Sequence, residues 1–403
     1  MQIQEYLLTH TLDELATNHG VYARVSTRNP LKFSLSYDQI EATDSDPISQ
    51  ECRGLILATN TPVTKSQVVG ATRILARPMQ RFFNYGQGAA APIDLCAADT
   101  KLLDKVDGTL CLVYFDPWLG EWCAATRSVP DADLPMDGFG AQTFSDLFWN
   151  TAAKVTGTSK EEMCKEFCVL LTYSFELCTL DNQIVVKYLI PKVFLLAVRE
   201  NRTGEDFEPE EIASQLKIVG VNFPLPESYR LGSVEEMLNF VSGRDPSSFE
   251  GIVAVDKNFN RVKLKSAGYL ALNKIKDSVG KSPRSVLEVI LLGKEDDVFP
   301  LVSETAKNAI LKVKEGLRVL LHTLDEEYAR SYSEDRKTFA LTIQGGSGHI
   351  GPHMSRWSGK CSSAHDWILL SKKEGSWPSS FLDNLLSMCL ATYPATCKDK
   401  PTK

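Results

Sequence analysis

A lysine whose neighbours suit nucleophilic chemistry occurs in the string Lys105-Val-Asp-Gly108, at the start of a strand pattern. A lysine amine attacks an electrophile only when it has lost its proton, and nearby cations together with partial desolvation favour that form. Gly108, which lacks a Cβ atom, would let a bulky group approach the backbone closely. Taken alone, the string fits an ordinary surface turn better than a nucleophile, so its neighbours decide the interpretation.

Two further lysines, Lys263 and Lys265, lie two residues apart in another strand pattern. Side chains at positions i and i+2 of a strand point to the same face, so the two ammonium groups would lie side by side. Like charges at that separation destabilise a strand, and a phosphate bound between them would offset the cost. A solvated outer face of the sheet is the alternative.

Two glutamates interrupt apolar strand patterns. Glu250 precedes the run Gly251-Ile-Val-Ala-Val255, and Glu176 lies inside Tyr173-Ser-Phe-Glu-Leu177. A carboxylate in an apolar strand is unfavourable unless it is paired or binds a cation. Mg²⁺ prefers oxygen ligands and retains several waters, so one or two carboxylates beside a phosphate would suffice to hold it. Two ordinary salt bridges are the alternative.

The elements that must position these side chains follow one another along the first two thirds of the chain. Residues 1 to 20 predict a helix that ends at Gly20, and residues 21 to about 265 contain short apolar runs typical of a mixed or antiparallel sheet. Between these strands, helices are predicted near 141–153, 160–166 and 208–216. The clearest strand patterns cover residues 53–57, 109–115, 167–173, 193–198 and 251–255.

The character of the chain changes after about residue 267. From 303 to 328 the apolar residues recur at steps of four and three, which predicts an amphipathic helix; they are Ala306, Ile310, Val313, Leu317, Leu320 and Leu324. Residues 283–292 and 379–392 also predict helices, and the five glycines of 344–362 predict a loop. The expected fold is therefore α+β, with a sheet-containing domain over 1–267 and a mainly helical domain over 268–403.

Composition limits the classes of function. With 43% hydrophobic and 24% charged residues, the 403-residue chain is neither disordered nor fibrous. A net charge of −7 means that any nucleic-acid contact must come from a local cluster of Lys and Arg. The longest apolar run covers residues 193–198, whereas a membrane helix needs about 20 residues, so no membrane span is expected.

The N-terminal residues and the cysteines indicate a compartment. No basic patch precedes an apolar run near Met1, so neither a signal peptide nor a transit peptide is expected. Ten cysteines without a secretion signal predict reduced thiols in an intracellular, cytoplasmic or nuclear compartment.

Five strings in the chain resemble, in order and spacing, the motifs of the covalent nucleotidyltransferases, which include polynucleotide ligases and messenger-RNA capping guanylyltransferases. They are Glu51-Cys-Arg-Gly54, Lys105-x-Asp-Gly108, Ser174-Phe-Glu-Leu177, Glu250-Gly-Ile-Val253 and Lys263-Leu-Lys265. More narrowly, residues 30–297 resemble the bacteriophage-type RNA ligase 1 family, through residues 51–56, 77–84, 198–204 and 263–269, with a fainter match over 335–340. One such motif is weakly specific, and five in order are a strong signal.

The resemblance implies a nucleotidyltransferase fold for the first domain and a role for each matching residue. Lys105 would attack the α-phosphorus of ATP and become lysyl-AMP, Arg53 would hold the nucleotide, and Lys263 and Lys265 would bind the α-phosphate. Glu176 would bind the ribose or the water shell of a divalent metal, Mg²⁺ or Mn²⁺.

Four further positions follow from the same resemblance. Glu250 would help to hold the metal, and Asp296 matches an acidic position linked to a second metal. Arg81 stands where the family has a lysine that contacts the triphosphate. Arg127 stands at another family lysine near the active site. These two substitutions keep the charge and change the side chain.

The implied enzyme joins an RNA 5′-phosphate to a 3′-hydroxyl in three phosphoryl-transfer steps. Its partner would be single-stranded RNA or a nicked loop, for example in tRNA repair. Gly280-Lys-Ser282 lacks the glycine that would precede it in a phosphate-binding loop, so no kinase of that type is expected in the sequence. A two-histidine phosphodiesterase would need two His-x-Ser/Thr strings, and only His353-Met-Ser355 fits, so a fused phosphodiesterase is not expected either. Healing of broken ends would therefore come from a separate kinase and phosphatase.

Two alternatives use other features of the sequence. One is a GTP-dependent capping-type guanylyltransferase, and the other is a catalytically inactive RNA-binding module. Capping enzymes and DNA ligases would both require a β-barrel after Lys265, whereas residues 283–328 predict helices. The intact set of lysines and glutamates argues against an inactive module.

A cluster of possible zinc ligands lies in the predicted loop and beyond it. His349, His353, Cys361 and His365 have spacings that a zinc site could use. Scattered polar loop residues are the favoured interpretation, because nothing else frames a zinc finger. His349 and His353 could instead contact RNA.

Overall fold

The computed structural model describes residues 1–38, 41–134, 142–270, 273, 283–291, 304–346, 349–372 and 377–392. The chain divides into two compact units, Met1–Leu270 and Ala271–Lys403. The first unit combines sheets and helices, and every element that the structure describes in the second is a helix. The α+β prediction is confirmed. Among the described residues, no helix is long and apolar enough to cross a membrane.

The first sheet is antiparallel and carries the N-terminal helices. Its strands lie in chain order: β1 (Val21–Val25), β2 (Lys32–Tyr37), β3 (Arg53–Ala58) and β4 (Arg73–Ala76). The single helix predicted over 1–20 is in fact two, α1 (Gln2–Leu7) and α2 (Leu12–His19). Thr11 begins α2 with a capping box to Glu14, and Gly20 ends it at φ 59° as predicted. A further short helix, α3 (Pro47–Glu51), leads into β3.

The second and third sheets contain the remaining strands of the first unit. The third sheet has the order β12-β6-β13-β14-β5, and the second has the order β11-β10-β9-β7-β8. All pairs are antiparallel except the parallel pair β14–β5. The strands are β5 (Phe83–Asn84), β6 (Lys101–Asp104), β7 (Thr109–Asp116), β8 (Glu121–Thr126), β9 (Leu171–Cys178), β10 (Lys192–Glu200), β11 (Asp206–Phe207), β12 (Ser228–Tyr229), β13 (Gly251–Val255) and β14 (Arg261–Lys265).

Four helices of the first unit pack against these sheets. Residues of three of them join the core on the second sheet, and α7 (Val234–Ser242) buries Met237 and Val241 in the core of the third sheet. The three are α4 (Phe144–Thr156), α5 (Lys160–Glu166) and α6 (Pro209–Ile218), close to their predicted ranges.

The strand predicted over 167–173 begins later, at Leu171. Phe167 is buried because its ring packs against Trp122 and Tyr173, and the Cys168 N–H donates to the Tyr173 hydroxyl. The residues that follow it, Cys168, Val169 and Leu170, are exposed, so only Phe167 enters the core from this turn.

Six helices are described in the second unit. They are α8 (Pro283–Leu291), α9 (Glu304–Ser331), α10 (Arg336–Gly345), α11 (Ile350–Trp357), α12 (Ala364–Leu370) and α13 (Ser379–Thr392). Four of them, α8, α9, α12 and α13, contribute to a hydrophobic core that belongs to this unit. The predicted apolar stripe of α9 is confirmed from Ile310 to Leu324, because its residues Ile310, Val313, Leu317, Leu320 and Leu324 are buried. The loop predicted over 344–362 is wrong, because α11 lies within it. Burial of Pro352 and His353, and a Trp357 Nε1–H bond to the Ser333 carbonyl, stabilise this glycine-containing helix.

Candidate active site

Lys105 directly follows β6, and its backbone N–H donates to the Gly251 carbonyl at 2.9 Å. The side chain reaches Glu250, whose Oε2 lies 2.8 Å from Nζ. The other carboxylate oxygen, Oε1, lies 2.7 Å from Nζ of Lys265. Glu250 is only 4% exposed, whereas each lysine retains about a fifth of its exposure. One buried carboxylate thus joins the predicted nucleophile to the predicted phosphate-binding pair.

Lys263 and Lys265 lie on one face of β14, as predicted from their spacing. Burial, together with the nearby charges of Lys265, Lys105 and Arg53, lowers the pKa of Lys263 to about 8. Positive charges that repel one another at such short range favour binding of an anion between them.

Arg53 at the start of β3 and Glu176 in β9 complete the charged set. The guanidinium of Arg53 lies 5.0 Å from the centre of the Phe82 ring, and its buried Nη1 has no hydrogen-bond partner in the described part of the chain. Burial raises the pKa of Glu176 to about 7, although Lys105 and Arg53 favour the charged form. The carboxyl group is therefore balanced between its two protonation states near neutral pH.

A cavity of about 560 Å³ lies beside this charged set, although Glu250, Lys263 and Lys265 are not among its described lining residues. Arg53, Lys105, Arg127 and Glu176 line it. Two apolar lining residues, Leu196 and Val253, were not singled out from the sequence. Leu196 sits at a β-bulge of β10, between the paired residues Leu195 and Ala197. A bulge changes which face a side chain takes, and no sequence signal marked this one.

Gly108 does permit a close approach to the backbone, but the approaching group is strand β9 of the protein itself and not a bound partner. A Cβ atom at this position would lie 2.4 Å from the Leu177 carbonyl oxygen and 3.1 Å from Cγ of Glu176. The glycine therefore lets the loop that carries Lys105 pack directly on β9. This contact places Glu176 beside the lysine.

Asp107 anchors the same loop. It is buried, and its Oδ2 accepts the backbone N–H groups of Val185 at 2.9 Å and Val186 at 2.6 Å. Its Oδ1 accepts the hydroxyl of Tyr269 at 2.7 Å. Three hydrogen bonds from two separate segments thus hold the residue two positions after the lysine. Tyr269 belongs to the 263–269 stretch that carries the family resemblance, but that stretch did not predict its contact with Asp107.

Both arginines that the resemblance aligns with lysines lie close to the ring of Tyr37. Arg127 is 5.2 Å and Arg81 4.2 Å from the centre of that ring. Arg127 lines the cavity, whereas Arg81 lines a neighbouring pocket and pairs with Asp44 at 2.5 Å. Tyr37 thus contacts both guanidinium groups, and it was not identified from the sequence.

The metal predictions are only partly within the described structure. Asp296 lies outside the described residues, and among those residues no group of three or more His, Cys, Asp or Glu could hold a metal ion. In the suggested zinc cluster, Nε2 of His353 instead hydrogen-bonds Glu327 at 3.2 Å. The roles assigned to the individual site residues stay predictions.

The sequence model for RNA ligase matches residues 51–269, and the chain belongs to this RNA ligase family. It is 28% identical over 279 residues to a protein of Autographa californica nuclear polyhedrosis virus inferred to be a bifunctional polynucleotide kinase/RNA ligase, covering 66% of this chain and 37% of the viral protein. It is 28% identical over 184 residues to RNA ligase 1 of bacteriophage TS2126, covering 44% of this chain and 40% of the phage protein. The resemblance to the phage-type family is confirmed.

The chain thus spans less than half the length of these two relatives. Among solved structures, an archaeal ATP-dependent RNA ligase superposes with a TM-score of 0.45 at 14% identity, covering 82% of this chain and 84% of that chain.

Proposed function

We propose that the protein is an ATP-dependent RNA ligase that joins a 5′-phosphate to a 3′-hydroxyl through lysyl-AMP and RNA-adenylate intermediates. The observation that carries the proposal is the Glu250 carboxylate, which contacts Lys105 on one oxygen and Lys265 on the other. A divalent metal ion could replace the two ammonium groups on this carboxylate, which would free both lysines to face a phosphate. Membership of the RNA ligase family supports the same activity.

The cavity has the properties that ATP requires. Its volume of about 560 Å³ falls in the usual range for small-molecule sites, about 300 to 1,000 Å³. Leu196 and Val253 offer apolar surface to a base, and Glu176 offers a carboxyl group to a ribose hydroxyl. Nη1 of Arg53, which has no hydrogen-bond partner among the described residues, could donate a hydrogen bond to a phosphate.

A divalent metal, Mg²⁺ or Mn²⁺, also fits these donors. Glu250 provides a buried carboxylate, and Glu176 provides a second carboxyl group whose pKa of about 7 would fall beside a cation. When bound, the metal would neutralise phosphate charge in the transition state.

The residues of the chain would divide the chemistry between them. Exchange of the Glu250 ion pairs would release Lys105 for in-line attack on the α-phosphorus. Lys263, Lys265 and Arg53 would stabilise the charge that develops on the phosphate oxygens. The anchoring of Asp107 by Tyr269 and by the backbone N–H groups of Val185 and Val186 would hold the nucleophile in position.

The substrate that we propose is a broken RNA with a 5′-phosphate, such as a nicked tRNA loop. The relative described as a kinase and ligase supports a link to end healing. Residues 1–403 contain no phosphate-binding-loop motif, so the kinase activity would be supplied from outside them. Circularisation of a 5′-phosphorylated single strand, compared with sealing of a nicked stem-loop, tests the RNA preference.

The alternatives predict other products from the same site. A capping-type guanylyltransferase would require a β-barrel after Lys265, whereas the elements described within Ala271–Lys403 are helices. An inactive RNA-binding module would have no use for a carboxylate joined to two lysines. We also propose a reducing, intracellular location, since the described thiols of Cys52, Cys96, Cys111, Cys123, Cys164, Cys168, Cys178 and Cys361 form no disulfide.

Covalent labelling tests the proposed function directly. Incubation with α-labelled ATP and Mg²⁺ should give a labelled protein band on a denaturing gel. Lys105→Ala should abolish the band. Lys101→Ala, which removes a surface lysine paired with Glu208 and Glu210, should leave it. Label from GTP alone would instead indicate capping chemistry, and an unlabelled but folded protein would contradict the proposal.

A further inference from the structure

A second, smaller pocket lies beside the nucleotide cavity and carries unusual chemistry. It has a volume of about 310 Å³, and Phe82 lines both this pocket and the nucleotide cavity. Its donors are two guanidinium groups and three carboxamides, contributed by Arg81, Arg261, Gln50, Gln80 and Asn260. Among the described residues that line it, none carries a carboxylate.

Arg81 is held rigidly at this pocket. Its side chain is only 9% exposed and contacts two rings, 4.2 Å from the centre of Tyr37 and 4.9 Å from that of Phe83. Asp44 pairs with Nη2, whereas the buried Nη1 has no hydrogen-bond partner in the described structure. A pre-ordered cation with unused hydrogen-bonding capacity favours an anionic ligand.

Arg261 extends the row of cations on β14. It lies two residues before Lys263, on the same face, and its side chain is only 9% exposed. Nη1 donates to the Phe259 carbonyl at 2.8 Å, while the nearest ion-pair oxygen, Oδ1 of Asp206, is 4.0 Å away. Asp206 also pairs with Arg199, so a single carboxylate serves two arginines and leaves a positive excess.

We propose that this pocket, at Arg81, Arg261 and Gln80, binds the 5′-phosphorylated end of the RNA strand. The inference deepens the proposed ligase function and rests on it. The carboxamides and Phe259 suit a base and a sugar next to the phosphate, which a site for inorganic pyrophosphate alone would not need.

The chemistry of RNA adenylation requires such a site. An oxygen of the RNA 5′-phosphate forms a bond to the phosphorus of lysyl-AMP, the phosphorus–nitrogen bond to Lys105 breaks, and Nζ keeps the electron pair and takes up a proton. In-line displacement places the entering oxygen opposite the departing nitrogen. The RNA phosphate must therefore bind next to the nucleotide cavity but away from Lys105, which does not line this pocket.

Changes of charge at Gln80 test the proposal, because this side chain is exposed and substitution there should not disturb folding. Isolated lysyl-AMP protein is mixed with increasing 5′-phosphorylated oligoribonucleotide, and AMP transfer to RNA is measured. Gln80→Glu should raise the half-saturating RNA concentration roughly tenfold, and Gln80→Lys should lower it, because the added charge repels or attracts the phosphate. Formation of lysyl-AMP from ATP should stay unchanged in both variants.

Matched controls are Gln215→Glu and Gln215→Lys, which make the same charge changes on an exposed position of α6 outside the pocket. They should leave RNA saturation as in the unmodified protein. If the Gln80 variants instead alter lysyl-AMP formation and its reversal by pyrophosphate, the pocket belongs to the triphosphate and the inference is overturned. Unchanged RNA saturation also overturns it. Failure of the unmodified protein to form lysyl-AMP would refute the proposed function itself, a separate outcome.

Discussion

Tyr269 and Asp107 are 162 positions apart in the sequence, yet the tyrosine hydroxyl donates a hydrogen bond of 2.7 Å to Oδ1 of the aspartate. Both side chains are buried, and burial raises the pKa of Tyr269, so the hydroxyl keeps its proton. Nζ of Lys265 also lies 5.6 Å from the centre of the Tyr269 ring. One tyrosine therefore contacts both the loop that carries Lys105 and a lysine of the phosphate-binding pair.

Tyr269→Phe should weaken this arrangement, because a buried carboxylate oxygen loses its donor. We expect a loss of about 1–3 kcal/mol in the free energy of unfolding, measured by urea denaturation. Lysyl-AMP should form more slowly at saturating ATP. Tyr22→Phe is the control, since it removes an exposed hydroxyl that is bonded to Glu41. Equal adenylylation rates in the two variants would show that Tyr269 does not position the loop.

The lowered pKa of Lys263 predicts a pH dependence for ATP binding. Lys263 carries its charge below its pKa of about 8 and loses it above. On a Lys105→Ala background with Mg²⁺, ATP affinity measured by calorimetry should fall by roughly tenfold as the pH rises past the pKa of Lys263, because a charged phosphate contact is lost. That pKa is higher in this background than in the unmodified protein, since the charge of Lys105 is one of the causes that lower it.

Lys263→Arg should remove the decline, because arginine stays charged throughout this range. If ATP affinity still declines with pH in the arginine variant, the decline arises from a group other than Lys263. The same pKa has a consequence for stability. The native state releases this proton at a lower pH than the unfolded chain does, so folding becomes more favourable between pH 8 and 10.5, the ordinary pKa of lysine.

Gly108→Ala should be strongly destabilising. The new methyl group would lie 2.4 Å from a backbone oxygen of β9, which cannot move without breaking strand pairing. We expect a loss of about 1–3 kcal/mol or more, seen as a lower denaturation midpoint, together with loss of lysyl-AMP. Gly88→Ala is the matched control, because a Cβ atom there has no neighbour within 4 Å in the described structure. Equal midpoints for the two variants would contradict the close packing on β9.

Lys32→Met tests a buried ion triad that lies outside the candidate site. Nζ of Lys32 lies 2.6 Å from Asp116 and 2.6 Å from Asp131, and all three side chains are almost fully buried. Removal of the cation leaves two buried carboxylates without their partner, at a cost of about 3–5 kcal/mol. Lys257→Met, at a surface lysine 3.8 Å from Asp99, should change the denaturation midpoint little. A similar, small effect of both substitutions would show that the triad does not stabilise the sheet.

Local patterns predicted those parts of the fold that depend on local physics. The apolar spacing of α9 predicted its buried face, because a helix places residues three and four apart on one side. Period two likewise predicted that Lys263 and Lys265 share a face. The prediction failed over 350–357, where the five glycines of 344–362 indicated a loop, since burial of Pro352 and His353 outweighs local preference there.

The site shows the same division. From the sequence alone came the residue types: a lysine before Asp and Gly, acids within apolar strands, and a lysine pair. These are recognisable because charge in an apolar strand is costly without a partner. Only the tertiary structure decided which partner each group has. Glu250 joins Lys105 and Lys265, Tyr269 reaches Asp107, and Leu196 turns toward the cavity at a bulge. Such contacts depend on strand register and chain crossing, which bring together residues far apart in sequence, and no local pattern encodes them.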